Sequence, residues 1–325
     1  MFTIQRLYQY TLALLLVVIF LPVVSSSNHH NPRKGVALAY GWHNGEGGAD
    51  KLQTGTYMFW WLTPPIYSPR SGRYLPTFWS DCPAYAPTCF YEESIWPDYE
   101  EFVEYSANMA RRYVVVDGRI AVIFANECDL PWPQCQQTPG HMAQVYLRAA
   151  DGCPHCVFFG PATSSKDRNC DWPDEQHLPF HDEIKYHGQW CYWQEFWKQV
   201  ELIAAQNGMD VPKVMEGKQY CAVHHYQFHP ALGFAGDEYT RDTLDSLWGL
   251  GCRRFIIAEY SACDPAIMAA MTDSYDKDER VVAFYAWTAN LPDTPQGTPC
   301  EVLLDWNTGE LTSLGEAFAA SGNGR

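Results

Sequence analysis

Two carboxyl groups stand where apolar runs stop. The run Ile120 to Ala125 ends at Asn126-Glu127-Cys128-Asp129, and FIIAEY, residues 255 to 260, carries Glu259 near its end. Between them YCAVHHY, residues 220 to 226, closes on His224-His225-Tyr226, and VVAFYAW, residues 281 to 287, closes on Trp287. Two carboxyls in one site can divide proton donation from nucleophilic work, provided their surroundings set different protonation states. Each residue alone also has a plain structural use. Glu127 could be an acid drawn to a helix N-terminus by its dipole, and Glu259 an ion-paired residue at a strand end. His225 alternates away from His224 and Tyr226 and reads as a packing histidine.

The elements that must position these groups follow from the apolar pattern. Eight short apolar runs occupy residues 35–42, 56–62, 74–79, 119–125, 156–162, 220–226, 253–260 and 281–287. Helix-like stretches separate most of them: 96–113 with Pro97 at its start, 138–150, 192–208 stopped by Asn207-Gly208, 237–251, 265–275 opened by Pro265, and a closing helix from 312. Near-continuous Val/Ile/Phe runs suit parallel strands covered on both faces. The class is α/β, and a single (β/α)8 TIM barrel explains the count. In that fold catalytic groups project from the C-terminal strand ends, where all the residues named above fall. An open doubly wound sheet is the alternative, but no GxGxxG or phosphate loop follows the first strand. The barrel domain is expected over residues 28–325, with Cys- and Trp-rich loops at its C-terminal face and a long excursion between the fifth and sixth strands.

Composition narrows the partners. The formal charge is −16, which repels nucleic acid and anionic membranes. Thirteen Trp and 20 Tyr exceed what a core needs and suit flat, half-polar ligands such as sugars. Residues 11–24, TLALLLVVIFLPVV, follow Arg6 and precede SSSN. This layout is that of a secretory signal peptide over residues 1–27, with an uncleaved anchor as the alternative. The mature chain is then secreted, with no membrane attachment after cleavage. All 12 Cys lie outside the leader, an even number that an exported protein can pair. Cys82 with Cys89, Cys128 with Cys135, and Cys153 with Cys156 are close enough for local staples. Cys153-Pro-His-Cys156 also has the spacing of a zinc or redox knuckle, but no second CxxC completes it. His225 and His229 pair as metal ligands only on a helix, and their segment is a strand followed by Pro230. No metal or cofactor is implied.

In order and spacing, Asn126-Glu127 closing the fourth strand, His224 and Tyr226 closing the sixth, Glu259 closing the seventh and Trp287 closing the eighth resemble the retaining glycoside hydrolases of clan A. The ending LLDWNTGELTSLGEAFA is similar as well. YLPTFWS, with Trp60 and Trp61 before it, looks like the short-loop endo-β-1,3-glucanase branch of that clan. The resemblance implies Glu127 as acid/base and Glu259 as nucleophile. It also implies Asn126 as donor to a sugar 2-hydroxyl, His224 and Tyr226 as donors to Glu259, and Trp287 as floor for a sugar ring. Trp60 and Trp79 would bind substrate too. Trp132, Trp172 and Trp190 would line subsites or pack against the barrel top, and Asp129 would be a loop or subsite residue. One departure is visible: many clan members carry an Arg near the end of strand two, whereas MFWWLTPP has none before Arg70. The implied partner is a polysaccharide or oligosaccharide cut internally, with β-glucan first and mannan, xylan or galactan next. A barrel that binds sugar without turnover is the competing reading.

Overall fold

The structure is a computed structural model that describes residues 30–323 except 39–47, 61, 63, 65–71, 80–95, 130–136, 164–187, 228–235 and 293–298. The leader, Cys82, Cys89, Cys135, His229, Trp61, Trp132 and Trp172 lie outside the described residues.

Among the described residues ten strands follow one another, with helices between most of them. β1 (Asn31–Ala37), β2 (Thr54–Met58), β3 (Arg73–Leu75) and β4 (Thr77–Phe78) come first, followed by a small hairpin of β5 (Val115–Val116) with β6 (Arg119–Phe124). β7 (Cys156–Phe159), β8 (Tyr220–Gln227), β9 (Arg254–Ala262) and β10 (Val281–Ala286) complete the set. One sheet runs β3-β2-β1-β10-β9-β8, and the other joins β4, β6 and β5 with β7 on the far side of β6. All pairings are parallel except the β5–β6 hairpin.

The two sheets are parts of one ring. β3 and β4 are a single strand interrupted at Pro76, which has no N–H to give, while its carbonyl accepts from Ile123 N at 2.9 Å. On the other side Gly160 N, just past β7, donates to Tyr220 O at 3.3 Å at the start of β8. The eight apolar runs read from the sequence thus become the eight staves of a (β/α)8 barrel. Strand residues alternate as that fold requires. Ile120, Val122 and Phe124 face the outer layer, whereas Ala121 and Ile123 join Met58, Leu75, Phe159, Ile256 and Tyr285 inside the barrel.

The outer helices start where short polar side chains can accept their free N–H groups. Thr138 caps α3 (Pro139–Gly152) through His141 N, Asp264 caps α7 (Pro265–Lys277) through Ala266 N and Ile267 N, and Thr312 caps α8 (Ser313–Ala320) through Gly315 N. The remaining helices are α1 (Gly48–Leu52), α2 (Trp96–Met109), α4 (Gly188–Gln206), α5 (Val211–Met215) and α6 (Gly236–Leu250). α1 and α5 were not anticipated, being five residues each and too short to show a period.

The first strand is a correction. Its expected span began at Gly35, but β1 begins at Asn31. Asn-Pro-Arg-Lys looks unlike a buried strand, yet Arg33 donates to the carbonyls of Tyr275, Asp276, Asp278 and Val281, and Lys34 to those of Phe318, Ala319 and Ser321. Charged heads with that many acceptors can be buried. Three disulfides join described residues: Cys153–Cys156, Cys221–Cys252 and Cys263–Cys300. The first is the local staple anticipated from spacing. No described helix is long and apolar enough to cross a membrane.

Candidate active site

At the C-terminal end of β6 the backbone turns sharply. Ala125 and Glu127 both have positive φ, 61° and 50°, a region that costs a side-chain-bearing residue energy unless its surroundings enforce it. Here they do. Ala125 N donates to Phe78 O at 2.9 Å and Glu127 N to Ala162 O at 2.6 Å, so the segment is clamped between the neighbouring staves. The clamp aims the Glu127 carboxyl across the barrel mouth. Asn126 is buried beside it, and its side-chain oxygen has no hydrogen-bond partner among the described residues.

β9 delivers Glu259 from the other side, in register with His224 of β8 after a local shift in pairing between Val223 and His224. His224 and Tyr226, two residues apart, both face Glu259. His224 Nδ1 lies 3.1 Å from Glu127 Oε1 and 3.8 Å from Glu259 Oε2, so it bridges the two acids. Tyr226 Oη donates to Glu259 Oε2. Trp60, just beyond β2, donates its indole N–H to Glu259 Oε1 at 3.0 Å. One oxygen each of Glu127 and Glu259 and one nitrogen of His224 lie within 4.8 Å of one another.

The electrostatics follow from burial. Burial pushes the Glu259 carboxyl up; the His224 charge pulls it back, Glu127 pushes it further, and the Tyr226 and Trp60 donors lower it. We take the net direction as upward, because desolvation of a fully enclosed carboxylate is the largest effect. Burial alone would lower His224, but the charge of Glu259, the bond to Glu127, and the charges of Glu127 and Asp129 outweigh it and hold the imidazole up at about 9. His224 is therefore a cation between two acids at neutral pH.

Trp287 follows β10, pinned by its N–H to Tyr260 O at 2.8 Å. Its ring meets Trp60 edge-on at 4.8 Å, and Trp79 lies 6.5 Å from Trp60. All eight residues singled out as site candidates thus converge on one rim. His225 turns outward to Tyr275 of α7, Nδ1 to Oη 2.5 Å, as a packing histidine does. Asp129, expected as a loop or subsite residue, lies in a turn where it is fully buried, and its charge reaches His224 and Tyr192. Sequence reading missed that Trp60 hydrogen-bonds a carboxylate, because nothing in MFWWLTPP reports where an indole N–H points.

No family model matches the chain, and no curated protein sequence does. Solved structures do. A GH128 subgroup II endo-β-1,3-glucanase from Pseudomonas viridiflava superposes with a TM-score of 0.57 at 16% identity, covering 89% of this chain and 97% of that one. A subgroup I endo-β-1,3-glucanase from Amycolatopsis mediterranei, in complex with laminaripentaose, gives 0.56 at 14% identity, with 90% and 100% covered. A subgroup III curdlan-specific exo-β-1,3-glucanase from Blastomyces gilchristii, in complex with glucose, gives 0.54 at 15% identity, with 89% and 99% covered. The fold is that of these glucanases. The superpositions span nearly the whole of each enzyme. The rim lies at the C-terminal ends of the strands, the face on which this fold carries active sites.

The arrangement can perform acid–base and nucleophilic work together. The nearest carboxylate oxygens lie within 4.8 Å, closer to the roughly 5 to 5.5 Å of retaining sites than to the roughly 6.5 to 9.5 Å of inverting ones.

Proposed function

We propose that this protein is an exported retaining glycoside hydrolase that cuts β-1,3-linked glucan internally. The observation that carries the reading is the Glu127–His224–Glu259 cluster at the C-terminal rim, with carboxylate oxygens within 4.8 Å and an aromatic floor beside them. The substrate class is supported by the structural neighbours, which are β-1,3-glucanases, several of them holding laminari-oligosaccharides. Disulfides among the described residues suit export.

In this reading Glu259 attacks the anomeric carbon while Glu127 protonates the departing glycosidic oxygen. The bond to the leaving sugar breaks as the glycosyl–Glu259 ester forms. Water then attacks the same carbon, Glu127 takes its proton, and the ester opens with net retention. Glu259 is suited to the nucleophile's part because Trp60 and Tyr226 each donate to one of its oxygens, and His224 balances its charge. Glu127 Oε1 lies 3.1 Å from His224 Nδ1, within reach of the proton that the imidazole carries. Asn126, buried beside Glu127, donates its amide N–H to the sugar 2-hydroxyl; Trp287 and Trp79 carry the rings.

A panel of linear β-1,3-, β-1,4- and mixed-linkage glucans, mannan, xylan and galactan tests this. Release of reducing ends from laminarin-type substrates, with β-configured product in early NMR spectra, is expected. Inverted product would refute the mechanism, and release from another glycan alone would move the substrate. Binding with no release from any glycan would leave a sugar-binding barrel.

A further inference from the structure

The residue whose role exceeds its place on the aromatic floor is Trp60. A tryptophan that serves only as a platform for a sugar ring has no need to spend its N–H on the protein. Trp60 spends it on Glu259 Oε1 at 3.0 Å. An indole N–H donates only, neither accepts nor titrates, and so has two effects on a carboxylate: it favours the charged form and fixes its orientation. The ring is itself braced, edge-on against Trp287 at 4.8 Å and tilted against Phe59 at 5.7 Å and Trp79 at 6.5 Å. Trp287 is in turn tied to Tyr260, the residue after Glu259, through its backbone N–H. Nucleophile and donor are therefore held by one rigid unit that ties the end of β10 to β9 and packs it against the segment after β2.

The charges around Glu259 make this donor important. Among the described residues, the groups that act on it are Trp60 from the end of β2, Tyr226 and His224 from β8, and Glu127 from the end of β6. Glu127 repels it, Tyr226 is neutral, and only His224 is a cation. His224 is also bonded to Glu127, so its charge is shared between two acids. Asp129 draws on it as well, and the charge of Glu301 reaches Tyr226. A donor that belongs to Glu259 alone, and whose strength does not change with pH, is what the indole supplies.

We propose that Trp60 is a positioning residue for the nucleophile, keeping Glu259 ionised and aimed through its indole N–H, in addition to any contact it makes with sugar. The proposal rests on the retaining mechanism given above. Trp60→Phe keeps an aromatic ring and removes the N–H. Its kcat should fall about 10- to 100-fold with KM little changed, the loss of one hydrogen bond to a buried charge. The acidic limb of its kcat/KM profile should move up by about half to one pH unit, because a donor favouring the ionised carboxylate is gone. A rise in KM with kcat and the acidic limb unmoved would make Trp60 a platform only and overturn the proposal. A measurement on the unmutated side chain guards against misfolding of the variant. The Trp60 indole 15N–1H resonance should shift as Glu259 titrates and should stop doing so in Glu259→Gln; a resonance indifferent to both overturns the proposal. If the wild type cleaves no glycan, the hydrolase reading fails, and the resonance still reports whether the indole is bound to Glu259.

Discussion

Glu127 and Glu259 are the same kind of residue put to different uses by their neighbours, and kinetics can separate them. Glu127→Ala should lose about 100-fold or more on natural glucan, within the range general acid catalysis contributes, but far less on aryl glycosides whose leaving groups need no proton. Equal losses on both substrates would remove Glu127 from the acid's role. Glu259→Ala should lose both activities and still bind oligosaccharide. The pH dependence belongs to this scale too. His224, the proton-bearing group beside Glu127, loses its proton as pH rises through about 9, the value at which the neighbouring acids hold the imidazole. Activity should therefore fall along an alkaline limb near there, and His224→Gln should move that limb. An unmoved limb would show that His224 does not hold the proton. The sequence made both acids legible because each interrupts an apolar run, a polarity change that burial alone does not explain. It left the partnership of His224 with Glu127 unreadable. His224 was expected to serve Glu259, and which of two carboxylates an imidazole favours depends on tenths of an ångström between strands.

At the scale of elements, the site depends on strand ends staying in register. β8 brings His224 and Tyr226, β9 brings Glu259, and Cys221–Cys252 staples the first of these strands to the residues leading into the second. That bridge spans 31 positions and Cys263–Cys300 spans 37, against 3 for Cys153–Cys156. Loop-closure entropy makes the long bridges worth about 3.5 to 4 kcal/mol each and the short one about 2 kcal/mol. Replacing both cysteines by serine should lower the thermal midpoint more for Cys221/Cys252 than for Cys153/Cys156, measured by calorimetry. The reverse order would mean that the short turn relies on its disulfide, despite the bond from Cys156 N to Cys153 O at 3.0 Å. Spacing alone suggested the short bridge. The long ones were not legible, because their partners meet only after β8, β9 and the segments beyond them have folded into neighbouring positions. All eight staves could be read, since buried parallel strands are continuous apolar runs. Their ends could be read less well, as at Asn31, where a polar start is buried by tertiary acceptors that no local pattern announces.

The whole molecule must close a ring, and the closure passes through Lys34. β1 pairs with β10, the first stave with the last, with Lys34 opposite Phe284. Its side chain is fully buried, donates to the carbonyls of Phe318, Ala319 and Ser321 at 2.7, 3.2 and 2.8 Å, and lies 4.4 Å from the Phe318 ring centre. Those carbonyls end α8, at the negative end of its dipole. One lysine thus ties the first strand to the last helix, and Asn31 adds a bond to Gly322 O at 2.6 Å. Lys34→Met, close in length and apolar, would remove the donor to Ser321 O and one of the donors to Phe318 O and Ala319 O, which also accept from Ser321 and Asn323. It should cost about 2 to 4 kcal/mol and lower the midpoint by several degrees. The dependence on pH has a definite sign. Burial pushes the Lys34 pKa down to about 7, with Asp276 and Asp273 pulling it back up, from an ordinary value of 10.5. Between these values the unfolded chain binds more protons than the folded one, so this group adds stability as pH rises through that window. Below pH 7 its contribution is at its lowest and constant. The stability difference between wild type and Lys34→Met, followed by denaturant titration from pH 6 to 10, should therefore widen with pH. A difference that stays flat would mean that Lys34 remains charged throughout, its three carbonyls outweighing the cost of burial.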